Sequence, residues 1–391
     1  MKSFNIQIAT EDLDYLHRRL ADLRWPDHSD DDGWERGIPV NYLKKLTNYW
    51  ATQFDWRKQE DLLNQYPQFI TEIDGQAIHY IHIRANKPNA VPLLLIHGWP
   101  GSFADFIPVI EPLTAPQAAG QLAFDLVIPS IPGFTFSVPV HGTGWNMIRI
   151  AAAFKALMTK LGYGRYGVHG GDMGAGIAGM LSGMAANELI GTHISSDFFS
   201  IAGLGMYPSD PAALSAEELS TLDRMKAHKK NGTAYLDIQA TRPGTIGIAL
   251  TDSPLAQLAW MAEKYREWSD ASADLPEDAI GIDRLLTNVS LYWFTKTGAS
   301  SAKILAENMQ MAFNWGGDDT AAEGWELPAV PSATACFGKK EDESFLRKVA
   351  ALMGTPNRYT YYTRGGHFPA LEVPHLLVHD IREFYTDIVT S

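Results

Sequence analysis

The sequence predicts an α/β protein: a mainly parallel sheet with helices on both faces, a helical insertion between two of its strands, and an N-terminal extension. Three observations carry that expectation. Short continuous apolar runs such as Leu93-Leu94-Leu95-Ile96 are the pattern of strands buried on both faces. Helix-like segments lie between these runs, the alternation that produces right-handed crossovers in a parallel sheet. From about Ser215 to Gly317 helical, Trp- and Tyr-rich sequence interrupts the rhythm, as a lid over a sheet-edge pocket would.

Taken in order, residues 1–90 read as an extension that is not a free-standing module. Thr10 begins a capped helix with apolar repeats at Leu13, Leu16 and Leu20 that breaks near Trp25-Pro26, before an acidic loop from Asp30 to Gly33. A second helix covers about Pro39 to Phe54, and apolar residues alternating around Asp74-Gly75 between Phe69 and Ile83 read as a hairpin. Residues 91–214 form the first part of the core, with strands at Leu93–Ile96, Phe124–Ile128 and Tyr166–His169 and a helix from Trp145 to Leu161. The insertion, 215–317, carries Trp260, Tyr265, Trp268, Tyr292, Trp293 and Trp315. The second part of the core, 318–391, resumes with strands at Ala329–Phe337 and Tyr359–Tyr362.

Composition narrows the function. The 391 residues are 46% hydrophobic with 11 Trp, 15 Tyr and 17 Phe, ample for a large buried core. Net charge is −13 with no basic cluster, which argues against nucleic acid as a partner. A single cysteine, Cys336, leaves no internal disulfide framework, and metal-ligand spacings are missing. No stretch reads as a signal peptide or a membrane span, so the expectation is a soluble, cytoplasmic protein. Composition leaves a homo-oligomer open.

Four segments carry chemistry. In Tyr166-Gly167-Val168-His169-Gly170-Gly171-Asp172-Met173-Gly174 an apolar strand feeds a turn crowded by glycines and then a helix. This is a nucleophile elbow with aspartate at the apex. An aspartate attacking an acyl carbon would give a high-energy anhydride, but on a saturated carbon bearing a leaving group it gives an alkyl ester that water can cleave. His97-Gly98-Trp99-Pro100-Gly101 follows a strand, and its Trp99 amide with that of Met173 would form an oxyanion hole. Arg364-Gly365-Gly366-His367-Phe368 places a histidine past the last strand as general base, and the loop after Cys336-Phe337 supplies Glu341 to orient it. Taken singly, each has an ordinary structural reading: a solvated turn, a β-turn, a surface histidine. The order Asp172, Glu341, His367 is the nucleophile–acid–histidine order of the α/β-hydrolase fold. A GxGxxG match at Gly174–Gly179, with Asp197 beyond it, is a decoy, because Gly170–Met173 intervene between strand and first glycine.

With these segments, the chain resembles the microsomal-type epoxide hydrolases over nearly its whole length. Leu23-Arg24-Trp25-Pro26 resembles their N-terminal extension, which wraps core and lid. His97–Ser102 resembles their oxyanion turn, Gly170–Gly174 their nucleophile segment, and Gly365–Phe368 their base loop. Gln239–Pro243, Asp252–Pro254, Leu286–Val289 and Leu291–Trp293 resemble their lid motifs. The resemblance implies that Asp172 opens an epoxide while lid tyrosines hydrogen-bond the oxygen, and the aromatic lid with Phe134, Phe136, Phe198 and Phe199 implies a small apolar substrate, aromatic ones included. His367 then activates water against the ester, and no metal or organic cofactor takes part. Tyr235, four residues before Gln239, matches the first lid tyrosine; Phe134, Tyr292, Trp293, Leu305 and Phe368 are the expected substrate contacts.

Three departures stand out. The second lid tyrosine falls on Leu305, which has no proton to donate, a loss worth roughly 2–4 kcal/mol of transition-state stabilisation. Met173 replaces the tryptophan usual after the nucleophile. The acid loop aligns poorly, with Asp342 a close alternative to Glu341. Two other readings remain at this stage: a haloalkane-type dehalogenase sharing the aspartate nucleophile, and a degenerate, non-catalytic member that binds an apolar ligand.

Overall fold

The computed structural model describes residues 1–26, 33–118, 120–205, 207–208, 210–315, 330–352 and 354–390. Most of the expected acidic loop, the expected end of the insertion and Ala329 lie outside them, as does the side chain of Trp315.

Among the described residues nine strands form one sheet in the order β1-β2-β3-β5-β4-β6-β7-β8-β9. Its first strands, β1 (Lys2–Phe4), β2 (Gln68–Ile73) and β3 (Gln76–Ile83), are antiparallel, and β3 joins them to β5 (Phe124–Pro129). The remainder, β4 (Val91–Ile96), β5, β6 (Tyr166–Gly170), β7 (Leu189–Asp197), β8 (Ser332–Phe337) and β9 (Arg358–Tyr362), run parallel. The hairpin expected at Asp74-Gly75 therefore exists as β2–β3, and it extends the main sheet. Strand β7 is additional to the expected strands. Its polar ending, Thr192 to Asp197, hides the continuous apolar signature by which β4 is recognised.

In chain order the helices are α1 (Thr10–Ala21), α2 (Val40–Thr52), α3 (Trp56–Asn64), α4 (Ile107–Thr114), α5 (Met147–Lys160), α6 (Met173–Met184) and α7 (Phe198–Leu204). Between β7 and β8 follow α8 (Ala216–Asn231), α9 (Ala234–Thr241), α10 (Pro243–Asp252), α11 (Pro254–Trp268), α12 (Pro276–Ile280), α13 (Ile282–Thr295) and α14 (Thr297–Trp315). The chain closes with α15 (Glu343–Leu352), α16 (Pro369–Glu372) and α17 (Pro374–Thr390). Helix α1 starts where expected, but Ala9 is its N-cap and no side chain caps it; Glu11 and Asp12 in the first turn favour the start electrostatically.

Both faces of the sheet are covered, which accounts for the fully buried Leu93, Leu94, Leu95 and Ile96 of β4. One core joins α5, α6 and the inserted helices on one side of the sheet; another gathers α4 and α17. The N-terminal segment belongs to the first core through Leu16, Leu20, Leu46 and Trp50. It is tied to the insertion by named bonds: Trp50 Nε1 donates to Ser290 Oγ at 3.0 Å, Tyr49 to Asp283 at 3.0 Å and Tyr42 to Glu277 at 2.5 Å. Among the described residues no helix is long and apolar enough to cross a membrane.

Candidate active site

Loops at the carboxyl ends of β4, β6, β7 and β9 converge, the usual location of a site in an open parallel sheet. Strand β6 ends at Gly170, and Asp172 occupies the apex of the turn into α6 with φ 53° and ψ −128°. A positive φ at a non-glycine residue is strained, and persists only where the surroundings impose it. Here they do. A Cβ on Gly170 would run into the Gly174 backbone of the first helical turn, so strand and helix can meet only through a residue without a side chain. The Asp172 side chain is thereby aimed out of the sheet toward the loop after β4.

That loop is the second component. A Cβ on Gly98 would stand 2.5 Å from Asp172 Oδ1, so the close approach depends on glycine. The Trp99 amide donates to Asp172 Oδ1 at 3.0 Å. His97 sets the turn: the Ile131 amide donates to its Nε2 at 3.1 Å, which leaves Nδ1 carrying the proton, donated to the Gly98 carbonyl at 3.0 Å. Burial holds this imidazole down at about 4, so it stays neutral. Two tyrosines of the insertion pin the other side, Tyr292 donating to the Gly101 carbonyl at 2.8 Å and Tyr265 to that of Pro100 at 3.3 Å.

His367 completes the arrangement. Its Nε2 lies 3.6 Å from Asp172 Oδ2, and its Nδ1 donates to Asp197 Oδ2 at 2.8 Å. Asp197, at the end of β7, also accepts from the Phe199 and Ser200 amides at 2.7 and 3.1 Å and from Ser200 Oγ at 2.6 Å. Burial opposes its ionisation, but the charge of His367 and these hydrogen bonds together hold its carboxyl below the usual range. Burial likewise opposes charge on His367, and the two carboxylates outweigh it, pushing the imidazole up to about 9. The resting histidine is thus an imidazolium between two anions. Its loop is clamped by the Glu372 carboxylate, which accepts from Phe368 N at 2.9 Å and from Asp270 N at 2.6 Å.

Of the residues singled out in the sequence, Asp172, His367, Trp99 and Phe368 line one cavity. Glu341 is not the partner of His367, nor is its alternative Asp342. Glu341 is exposed on a 3₁₀ turn, and Asp342 is buried in an ion pair with Arg224 on α8. The turn after Gly338 carries both away from the His367 loop toward α8, and Asp197, from the strand next to β6, holds the histidine instead. In sequence Asp197 appears only as part of the decoy glycine match. Its capping of α7 gives it an equally ordinary structural reading, and the one signal for it is its place at the end of an unrecognised strand. Two of the decoy glycines serve packing: a Cβ on Gly174 would run into the Ile96 carbonyl oxygen and one on Gly176 would stand 2.5 Å from the Met147 sulfur, whereas one on Gly179 would meet nothing within 4 Å.

Met173 opens α6 with its side chain buried. Tyr235 stacks on Trp99, ring centroids 5.3 Å apart at 12°, and burial, with the charges of Asp172, Glu267 and Asp197, raises its phenol well above the ordinary value. Tyr292 has its hydroxyl committed to Gly101 and its ring edge-on to buried Phe134. Trp293 stacks on Tyr15 of α1 and so faces the extension, and Leu305 is buried with 7% exposure. One further carboxyl, Asp105, lines the cavity unforeseen. Burial pushes it up to about 7, and Asn288 Nδ2 donates to it at 2.7 Å. No cluster able to hold a metal occurs among the described residues.

Residues 1–106 match the family described as "Epoxide hydrolase N terminus", and residues 91–240 match "alpha/beta hydrolase fold". A putative epoxide hydrolase of Stigmatella aurantiaca is 39% identical, covering 98% of this chain and 84% of its own. Epoxide hydrolase 1 of Sus scrofa is 32% identical over 98% and 88%. The solved epoxide hydrolase of Aspergillus niger superposes with a TM-score of 0.82 at 30% identity, covering 99% of this chain and 96% of that one. By its elbow aspartate, its extension and these relatives alike, the chain belongs to the microsomal-type epoxide hydrolase family.

Proposed function

We propose that the chain hydrolyses an apolar epoxide to a vicinal diol through an Asp172 ester, with Asp197 as the acid of the triad. The observation that carries this is the division of labour on one carboxylate: Oδ1 is held by the Trp99 amide while Oδ2 is left facing His367. Oδ2 attacks a ring carbon, the C–O bond breaks, and Tyr235 hydrogen-bonds the oxygen that leaves. Esterification consumes the charge of Asp172, one of the groups that raises His367. The imidazole can then release its proton, which neutralises the alkoxide, and act as base. It takes a proton from water, and the hydroxide adds to the ester carbon as negative charge develops on the oxygen at the Trp99 amide. Collapse of this intermediate breaks the bond to the alkyl oxygen, which leaves as the diol, and restores the carboxylate. The helices α8–α14 serve as the lid, and Phe368 with the aromatic residues around the cavity supports an apolar substrate.

A single turnover in heavy-oxygen water, followed by mass analysis of the peptide containing Asp172, tests the reading. Label should enter the Asp172 carboxylate. Label confined to the diol would mean that water attacks the epoxide directly and would overturn it.

A further inference from the structure

With leucine at 305, the proposed chemistry rests on one lid tyrosine, and the surroundings of that tyrosine contain a group the mechanism has not used. Lys264 on α11 is only 4% exposed, and its ammonium lies 4.8 Å from the centroid of the Tyr235 ring, over its face. Two carboxylates of the same helix hold it there, Glu263 at 2.8 Å and Glu267 at 2.7 Å. Behind Glu267 stands His228 of α8 at 3.4 Å. The Tyr235 ring also packs against Trp268, centroids 5.3 Å apart, and Lys264 lies 5.8 Å from the centroid of that second ring.

Beyond burial, the groups that raise the Tyr235 phenol are all carboxylates: Asp172, Glu267 and Asp197. Such a field opposes the shift of electron density onto the phenol oxygen when it donates to an alkoxide. A buried cation over the same ring acts in the opposite sense, and desolvation strengthens it.

We propose that Lys264 is a positioning residue for ring opening: its ammonium fixes the Tyr235 ring against Trp99 and counterbalances the surrounding carboxylates, so that a single hydroxyl can stabilise the leaving oxygen. This rests on the two-step reading above. It assigns Lys264 to the first step alone, since water attack on the ester requires His367 and the Trp99 amide but no phenol.

Single-turnover kinetics with styrene oxide separate the steps, because formation and decay of the ester can be followed by rapid quenching and intact-mass measurement. Lys264→Met should slow ester formation about 10-fold, the scale of a buried cation–π contact, while ester decay stays within about twofold. Lys264→Arg should restore most of the loss. Lys264→Met removes the buried cation that Glu263 and Glu267 share, so Lys264→Met combined with Glu267→Gln serves as the second variant if the first folds poorly. Equal slowing of both steps, an unchanged rate of ester formation, or failure of arginine to rescue overturns the role given to Lys264. Failure of the underlying reading looks different: no ester forms in the parent, or Tyr235→Phe retains more than about a tenth of the parent rate.

Discussion

At the scale of single residues, the site is governed by which carboxylate meets which proton. Asp197 accepts from His367 and three further donors, whereas exposed Glu341 takes no part in the contacts of His367. Asp197→Asn should therefore lower kcat by roughly 10²- to 10⁴-fold and let the ester accumulate, with Glu341→Gln close to the parent. Intact-mass measurement during turnover checks both, and a severe loss in Glu341→Gln would reverse the assignment. Asp105 makes a prediction about stability. Its folded value of about 7 lies above that of an exposed aspartate, because burial disfavours the charge. Its contribution is complete at acid pH below the ordinary aspartate range and is lost as pH rises through about 7. Asp105→Asn should remove this slope, so the variant gains on the parent between pH 5 and pH 8 in chemical denaturation. A pH-independent difference between the two would contradict the buried charge.

Elements explain what sequence could and could not reveal. The apolar runs of β4, β5 and β6 announce themselves because both their faces are covered, and the elbow is legible because its crowding demands small residues at fixed offsets. Strand β7 is not legible, since its second half alternates polar residues that pair across the sheet, as His193 does with His169 at 3.0 Å. Without a legible β7 nothing in the sequence places its terminal Asp197 beside Asp172, and the carboxylates after β8 are the ones the hydrolase order points to. Trp293 shows the same limit in another form. A lid aromatic reads as a substrate contact until the fold brings Tyr15 against it. The elbow itself offers a test: Gly98→Ala would set a methyl group against Asp172 Oδ1. The nucleophile must move, and a displacement of about 1 Å should slow ester formation on the order of 100-fold. Circular dichroism should show the fold retained.

On the scale of the whole molecule, the N-terminal helices are bonded to the helices between β7 and β8. Trp50, Tyr49 and Tyr42 of α2 all bond to α12 or α13, and Arg19 of α1 pairs with Asp252 on α10 at 3.4 Å. The exposed Arg19–Asp252 pair adds little, whereas the Trp50 indole is buried and bonded. Trp50→Ala should cost about 3–5 kcal/mol of global stability. Hydrogen exchange should then accelerate together in α2 and α13, with β4 and β6 affected less. Independent exchange of the two helices would show that the extension merely leans on the insertion.

On the proposed assignment of the acid to Asp197 of β7, the bend after β8 has no part in turnover. The chain's one native thiol, Cys336, is 1% exposed and out of reach of reagents in the folded state. Glu341→Cys would therefore create a unique reactive handle, through which the catalyst could be tethered to a bead or carry a dye. Diol output should stay within about twofold of the free protein, as expected for a surface substitution away from the machinery.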